Sequence, residues 1–385
     1  MADPTGSNGG PDDAAPASSA TASVLPADRA YLGMFDKSTW IRLPRNVVVG
    51  HGVLDEAAAA VEELRLHGDP LVVTSPTPAE VAGDRVVAGF SDAGFDPRVV
   101  RIEEATFGAV EEVIEVAASD DVGYLVGVGG GKVIDVAKMA GEDVGKGFVS
   151  VPTAASHDGI VSGRASIPEG DTRHSVAAEP PLAVVADTEI LADAPWELTT
   201  AGCADIISNF TAVRDWELAH RLKNVEYHEY AGALSRMTAE MLVENADSIR
   251  PELEESAWIV TKALVSSGVA MSIAGSSRPA SGAEHLISHQ LDRIAPEPAL
   301  HGHQVGVASI MTEYLHSGPK GQWQDIRDAL ASIDAPTTAE ELGIGDEVVI
   351  EALTTAHEIR DRYTILGDGM SEAAARDAAS VTGVI

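Results

Sequence analysis

Tyr124-Leu125-Val126-Gly127-Val128-Gly129-Gly130-Gly131-Lys132-Val133-Ile134-Asp135-Val136-Ala137-Lys138-Met139 is the stretch that decides the fold. Its first five residues read as a buried strand, and Val133, Val136, Ala137 and Ala140 then recur at the spacing of one helix face. Three glycines join the two patterns. Lacking Cβ atoms, they let the backbone approach a ligand closely, and the start of the following helix offers free N–H groups and a partial positive charge. This chemistry suits a pyrophosphate, although the same turn also serves as a tight connection in chains that bind nothing. Lys132 is followed by Val133, where a magnesium-binding phosphate loop needs Ser or Thr, and the glycines do not follow the GxGxxG spacing.

Outward from this stretch, Asn46 to Val49, Leu71 to Thr74, Val99 to Ile102 and Phe148 to Val151 repeat the strand pattern. Val53 to Leu66, Pro78 to Ala93 and Phe107 to Ala118 repeat the helical one. Such alternation predicts an α/β domain with a parallel sheet covered on both faces and ligands gathered at the carboxyl ends of the strands. Thr153, Ser156 and Ser162 follow the Phe148 strand at that edge, where their hydroxyls either bond a cofactor or cap turns. The second strand ends in Thr74-Ser75-Pro76-Thr77 rather than in the Asp or Glu that accepts from an adenosine ribose hydroxyl, so a 2'-phosphate meets less repulsion. NADH and NADPH both stay open.

Arg164 to Ile167 and Ser175 to Ala186 read as a hairpin excursion, and from Glu197 onward the pattern is helical, including Trp258 to Ala274, Val305 to Leu315 and Thr338 to Leu342. The expected division is a disordered acidic arm over 1–35, a nucleotide-binding α/β domain over 36–194 and an all-α domain over 195–385. The arm, as in Gly6-Ser7-Asn8-Gly9-Gly10-Pro11-Asp12-Asp13, has little with which to build a core.

Charge excludes several partners. Sixty Asp and Glu against 26 Lys and Arg give a net charge of -34, which repels nucleic acid and anionic membrane surfaces. Only seven of the cations are lysines, and an acidic, lysine-poor chain resembles proteins of salt-loving microbes, whose self-repulsion is screened within ~3 Å at 1 M salt. Cys203 is the single cysteine, so no intrachain disulfide forms. No run of 18 apolar residues and no basic-then-apolar leader is visible, which predicts a cytoplasmic enzyme without stable membrane insertion.

In the helical half, Gly202-Cys203-Ala204-Asp205, Glu284-His285-Leu286-Ile287-Ser288-His289 and Leu300-His301-Gly302-His303 carry a carboxylate and several imidazoles. His285 and His289 are four apart and share a helix face, and His301 follows the loop Ala295-Pro296-Glu297-Pro298 at the start of the next helix. Two imidazoles and a carboxylate leave a divalent ion an open position for a substrate oxygen. By spacing alone, structural histidines and metal ligands remain equally good readings.

Taken together, Gly-Gly-Gly-Lys-x-x-Asp at 129–135, Pro152-Thr153-Ala154-Ala155-Ser156-His157-Asp158-Gly159, Ala204-Asp205, Ser281-Gly282-Ala283-Glu284-His285-x-x-Ser288-His289 and Leu300-His301-Gly302-x-Gln304-Val305-Gly306 resemble the sn-glycerol-1-phosphate dehydrogenase family. That family belongs with glycerol dehydrogenases and iron-containing alcohol dehydrogenases, of dehydroquinate synthase-like architecture. The likeness runs from about Trp40 to the C-terminus. It implies that Asp205, His285 and His301 bind Zn2+, with Fe2+ as the alternative. It further implies that Gly130, Gly131, Lys132, Val133, Ile134, Asp135, Thr153, Ser156 and Ser162 contact NAD(P)H, and that Asp158, Asp205 and His289 contact substrate, Asp205 and His289 taking part in catalysis. His303, standing where relatives often have Glu, is left out and read as an exposed helix-start residue.

The implied reaction is NAD(P)H-dependent reduction of dihydroxyacetone phosphate to sn-glycerol 1-phosphate for archaeal membrane lipids, by a homo-oligomer. Arg164, Arg173, His157 and Arg293 are the candidates for holding the substrate phosphate. A glycerol or polyol dehydrogenase is the rival within the group. A 3-dehydroquinate synthase-like lyase is a second rival, disfavoured here because the sequence shows no dense set of Lys and Arg for its phosphate substrate.

Overall fold

The computed structural model describes residues 40–169 and 172–385; the expected arm over 1–35 lies outside them. Valine-rich runs bounded by Gly, Asp or Pro form the strands β1 Asn46–Gly50, β2 Asp69–Thr74, β3 Arg98–Arg101, β4 Val122–Gly129 and β5 Phe148–Pro152. The hairpin β6 Arg164–Glu169 and β7 Thr172–Ala177 precedes β8 Ala183–Asp187. β6 and β7 pair antiparallel, and the other six make a wholly parallel sheet in the order β1-β8-β5-β4-β2-β3. The chain runs outward from β2 to β3, then returns to lay β4 on the other side of β2. The order reverses between β2 and β4, and the carboxyl ends at such a reversal are where ligands bind in open α/β sheets.

Side chains alternate across the sheet. Val72, Val126, Val149 and Val185 pack on one face with Leu54, Val61, Val86 and Phe90. Leu71, Val73, Leu125 and Val184 face the other way, into a second apolar cluster that continues through Ile206, Leu264, Leu286 and Ile310 of the helical half. The helices of the sheet layer are α1 Ala57–Leu64, α2 Pro76–Pro78, α3 Asp84–Asp92, α4 Phe107–Ala117 and α5 Gly131–Val144. The single turn α2 runs through a π-turn at Ala79–Gly83 into α3.

Two segments depart from expectation. Ser175 to Ala186 is not one hairpin arm: β7 ends at Ala177, and Ala183–Asp187 lies buried between β1 and β5 as a sixth parallel strand. Pro180 and Pro181 stand between the two pieces; without N–H groups they end one ladder and let the chain begin another. Thr338 to Leu342 is a turn rather than a helix. There the Thr338 hydroxyl caps the turn by accepting from the Glu341 N–H, and the Leu342 N–H reaches the Thr338 carbonyl at 3.2 Å, but Gly343 at φ 74 ends the helix after this one turn.

The helical half comprises α6 Thr188–Ala192, α7 Trp196–Lys223, α8 Glu229–Asn245, α9 Glu254–Ala274, α10 Ala283–Ile294, α11 His301–Ser317, α12 Trp323–Ser332, α13 Asp346–Thr355 and α14 Glu372–Thr382. α7 is its axis, buried nearly throughout from Thr199 to Val213. α9 has the length and apolar composition of a spanning helix, but it buries Val260, Leu264 and Ala270 in the protein.

Candidate active site and metal centre

The glycine turn lies where the sheet reverses. β4 ends at Gly129, Gly130 is the N-cap of α5, and no side chain caps that helix, so its first turn keeps N–H groups for an anion. Space beside Gly130 is open, whereas a Cβ on Gly131 would strike the His157 ring. His157 is held there by its Nδ1, which accepts from the Gly159 N–H at 2.9 Å.

The residues expected at the cofactor divide by direction. Val133 and Ile134 are core residues and reach the turn only through their backbone. Lys132 is exposed and pairs with Glu104 at 3.0 Å. Thr153 continues β5 with its N–H on the Gly129 carbonyl, beside the turn. Ser162 is buried with an unpartnered hydroxyl, and Ser156 is half-buried near the same edge. Asp135 points inward: one oxygen accepts from Lys138 Nζ at 3.2 Å and the other from the Ser166 N–H at 2.9 Å. Fully buried Lys138 also donates to the Gly159 carbonyl at 2.7 Å and to that of Arg164, tying α5 to the loop that carries Asp158.

Three segments remote in sequence meet opposite the turn. A Cβ on Gly202 would stand 1.9 Å from the Ala155 carbonyl oxygen, and one on Gly302 2.0 Å from that of Ala201. Only glycine permits these approaches; they press α7 against the 155–156 loop and the start of α11 against α7. One turn beyond Ala201, Asp205 then faces His301, and His285 enters from α10. The donor atoms of Asp205, His285 and His301 lie within 4.8 Å of one another, with His285 Nε2 at 3.5 Å from Asp205 Oδ1.

The other sides of these groups are fixed. Glu284 Oε1 holds His285 Nδ1 at 3.0 Å, and the Ser288 hydroxyl meets His301 Nδ1 at 3.0 Å, turning both Nε2 atoms inward, as ligating imidazoles require. Asp205 Oδ2 accepts from the Asp158 N–H at 3.0 Å. Asp158 in turn accepts from Ser267 at 2.8 Å. Burial and the neighbouring Asp205 carboxylate push the Asp158 carboxyl up to about 7. Burial works against a charge on His285, yet its bonds to Asp205 and Glu284 prevail and raise it to about 9. Burial and the charge of His285 press His301 the other way, well below the usual imidazole range. Buried carboxylates that draw a proton onto one imidazole mark a place that favours positive charge, and the mixed N and O donor set fits a divalent ion.

His289 lies one turn along α10 from His285 and stacks on His301, with ring centroids 5.6 Å apart. His303 is not exposed as expected: it is buried, and its Nε2 meets the Thr200 hydroxyl at 2.8 Å. It braces the α7–α11 crossing, and burial lowers it to about 4.

Sequence reasoning missed two features. Glu284 was quoted in a motif without a role, although it orients His285 from a wholly buried position. Arg360 and Arg362, with Arg278, gather at the Ser277–Gly282 segment that opens α10. Their signal was the pair Arg360-Asp361-Arg362 in a chain poor in cations.

A parallel sheet that ends in a glycine turn and an uncapped helix, beside a buried carboxylate–histidine cluster of the helical half, defines a class: residues 48–195 match the family described as iron-containing alcohol dehydrogenase. Among solved structures, glycerol dehydrogenase from Schizosaccharomyces pombe aligns with a TM-score of 0.75 at 20% identity, covering 90% of each chain. Sulfoacetaldehyde reductase from Bifidobacterium kashiwanohense in complex with NAD+ aligns with a TM-score of 0.70 at 15% identity, covering 90% of this chain and 99% of that one. Sequence relatives are nearer. Proteins named glycerol-1-phosphate dehydrogenase, with NAD(P)+ in the name, are 77% identical in Haloarcula marismortui and 75% in Natronomonas pharaonis, each over 91% of this chain and 100% of the relative. One from Methanosarcina acetivorans is 55% identical over 91% of this chain and 98% of its own length. The chain belongs to the glycerol-1-phosphate dehydrogenase family.

Proposed function

We propose that the protein reduces dihydroxyacetone phosphate to sn-glycerol 1-phosphate with NADH or NADPH, the step that sets glycerol stereochemistry in archaeal membrane lipids. The observation that carries this reading is the convergence of Asp205, His285 and His301 in a chain 77% identical to a glycerol-1-phosphate dehydrogenase. The turn at Gly129–Gly131, with Lys132, Thr153 and Ser156 around it, would hold the cofactor, and Asp205, His285 and His301 would hold zinc, with iron as the alternative. When bound, the ion supplies Lewis acidity toward the carbonyl oxygen as negative charge develops there.

The remaining work falls to this chain's own groups. Asp158 and His289 border the triad and position the substrate. With His289 Nδ1 facing Asp292 at 3.9 Å, Nε2 is the nitrogen left to bond the substrate or pass a proton. Glu284 and Ser288 keep the two ligating rings in register, and the Asn209–Ser267–Asp158 chain of hydrogen bonds keeps the Asp158 loop in place.

Cytoplasmic action follows from the same reading, because the reaction draws on the nicotinamide pool, and the free, buried Cys203 thiol is compatible with a reducing compartment. A homo-oligomer is part of the proposal as well: Tyr230, Met237 and Met241 lie exposed along one stripe of α8, and light scattering in molar KCl tests it.

NAD(P)H oxidation measured in molar KCl tests the activity. The expected result is rapid turnover with dihydroxyacetone phosphate and little with dihydroxyacetone. The opposite preference would make the enzyme a polyol dehydrogenase, and phosphate release from a heptulosonate without turnover of either ketone would make it a lyase.

A further inference from the structure

The bend at 359–361 and residues 362–364, after the 3-10 turn Ala356–Glu358, carry Arg360 and Arg362 to the entrance of α10. Arg360 Nη2 donates to the Ser281 hydroxyl at 2.7 Å, and Arg362 donates to the Ser277 hydroxyl at 2.8 Å and to the Ser281 carbonyl. Each anchor is a neutral oxygen. Among the described residues, neither guanidinium comes within ion-pair distance of a carboxylate, and Arg360 Nε is buried without a partner. The one carboxylate that acts on both is Glu284, whose oxygens already serve the Gly282 N–H, Thr211 and His285.

We infer that Arg360 and Arg362 bind the phosphate group of the substrate, a phosphomonoester dianion, with Arg278 and Arg164 adding positive charge around them. This rests on the activity proposed above and adds the residues that would distinguish a phosphorylated ketone from its unphosphorylated form.

Position supports it. The segment that anchors both guanidiniums leads directly into α10, with Ser281 four residues before His285 and eight before His289. A small substrate with its carbonyl at the triad would therefore bring its phosphate to these arginines. Electrostatics agree. Burial, followed by repulsion from Arg360 and Arg278, lowers Arg362 to about 8, and burial with the charge of Arg164 lowers Arg360 to about 10. Arg360 and Arg362, buried side by side with neutral oxygens as their hydrogen-bond partners, are costly unless an anion joins them, and planar guanidinium forks match phosphate oxygens two at a time. In a chain of net charge -34, such a gathering does not follow from composition.

The earlier candidates are less suited. Arg293 is exposed in the last turn of α10, away from the Ser281 end. His157 is engaged over Gly131 at the cofactor turn. Arg173 lies in β7, its side chain outside the described residues. Arg164 alone of the four remains, as part of the surrounding charge.

The test uses the metal-loaded enzyme in molar KCl with Arg360→Gln, Arg362→Gln and Arg360→Lys, and with Arg376→Gln as a surface control. Two quantities are read: the ratio of kcat/KM for dihydroxyacetone phosphate over dihydroxyacetone, and the inhibition constant of inorganic phosphate competing with dihydroxyacetone phosphate. A hydrogen bond between charged groups corresponds to about 10- to 100-fold. The Gln variants should lower the ratio and raise the inhibition constant by that factor, Arg360→Lys should recover part of both, and Arg376→Gln should change neither. Should Arg362→Gln fail to fold for want of its serine bonds, Arg360→Gln decides. Wild-type ratio and inhibition constant in an Arg360→Gln enzyme with normal metal content would overturn the inference. If the wild type itself shows no preference for the phosphorylated ketone, the proposed activity fails instead, and phosphate binding by wild type against Arg360→Gln still decides whether an anion site exists.

Discussion

The two halves of the molecule build their sites by different means. In the sheet half, the turn proposed to hold the cofactor is made from consecutive residues, Gly129 to Lys132, whose backbone lies where a strand ends and an uncapped helix begins. In the helical half, side chains of α7, α10 and α11 meet across about a hundred residues of sequence, brought together by helix contacts that only glycine at 202 and 302 allows. A backbone-built site tolerates changes of side chain, because its donors belong to every residue. A side-chain-built site does not, because each donor is unique and held by one or two partners.

The largest effect should come from the triad. Asp205→Asn or His301→Ala is expected to lose bound metal and nearly all turnover, by more than the roughly 10–100-fold that follows loss of an orienting partner. Metal analysis alongside NAD(P)H oxidation checks this, and an active, metal-free Asp205→Asn enzyme would refute the ligand set. Next in size is the buried pair within the sheet half that ties α5 to the Asp158 loop. Lys138→Met leaves Asp135 unpaired in the core and should destabilise the protein by about 3–5 kcal/mol, whereas Asp135→Leu with Lys138→Met should recover much of that. Chemical denaturation of the single and double variants measures the difference.

A smaller loss is expected for Glu284→Gln. It keeps the shape and one acceptor but removes the charge behind His285, and metal affinity should fall by about 10–100-fold in a competition titration with a chelator. Gly302→Ala should cost about 1–3 kcal/mol by overpacking against the Ala201 carbonyl and should weaken metal binding along with stability, since one contact sets both. The smallest effect belongs to the sheet half. Lys132→Met breaks an exposed pair with Glu104 and should change stability by under about 1 kcal/mol, and cofactor titration should find the backbone cradle still working. A collapse of binding in that variant would remove the contrast between the halves. Both halves share one dependence: with net charge -34, stability and activity should rise from dilute buffer to molar KCl as repulsion is screened, and full activity in dilute buffer would defeat the halophilic reading.

The readable parts of the sequence were those where local physics and final structure agree. Five of the six parallel strands appear as short apolar runs, and the turn at Gly129–Gly131 declares itself because backbone geometry depends on the residues at that spot. β8 was hidden because its valines follow a hairpin and two prolines, and pairing between β1 and β5 is a choice made by distant strands. Thr338 to Leu342 misled because an apolar spacing over five residues does not show that Gly343 stops the helix after a single turn. The triad residues were marked by their motifs, whereas the burial of His303 was not, since nothing near it in sequence records that Thr200 waits a hundred residues earlier.

By itself the sequence determined the layered α/β sheet with its phosphate-type turn, the helical second half and the kinds of donor available for a metal, because these follow from periodicity, glycine placement and side-chain chemistry. Only the tertiary structure decided which of those donors share one centre, that Glu284 and Ser288 orient the imidazoles, and that Arg360 and Arg362 anchor at the segment opening α10. The physical reason is that convergence in space depends on how helices pack, and packing is settled by contacts between segments that carry no trace of one another along the chain.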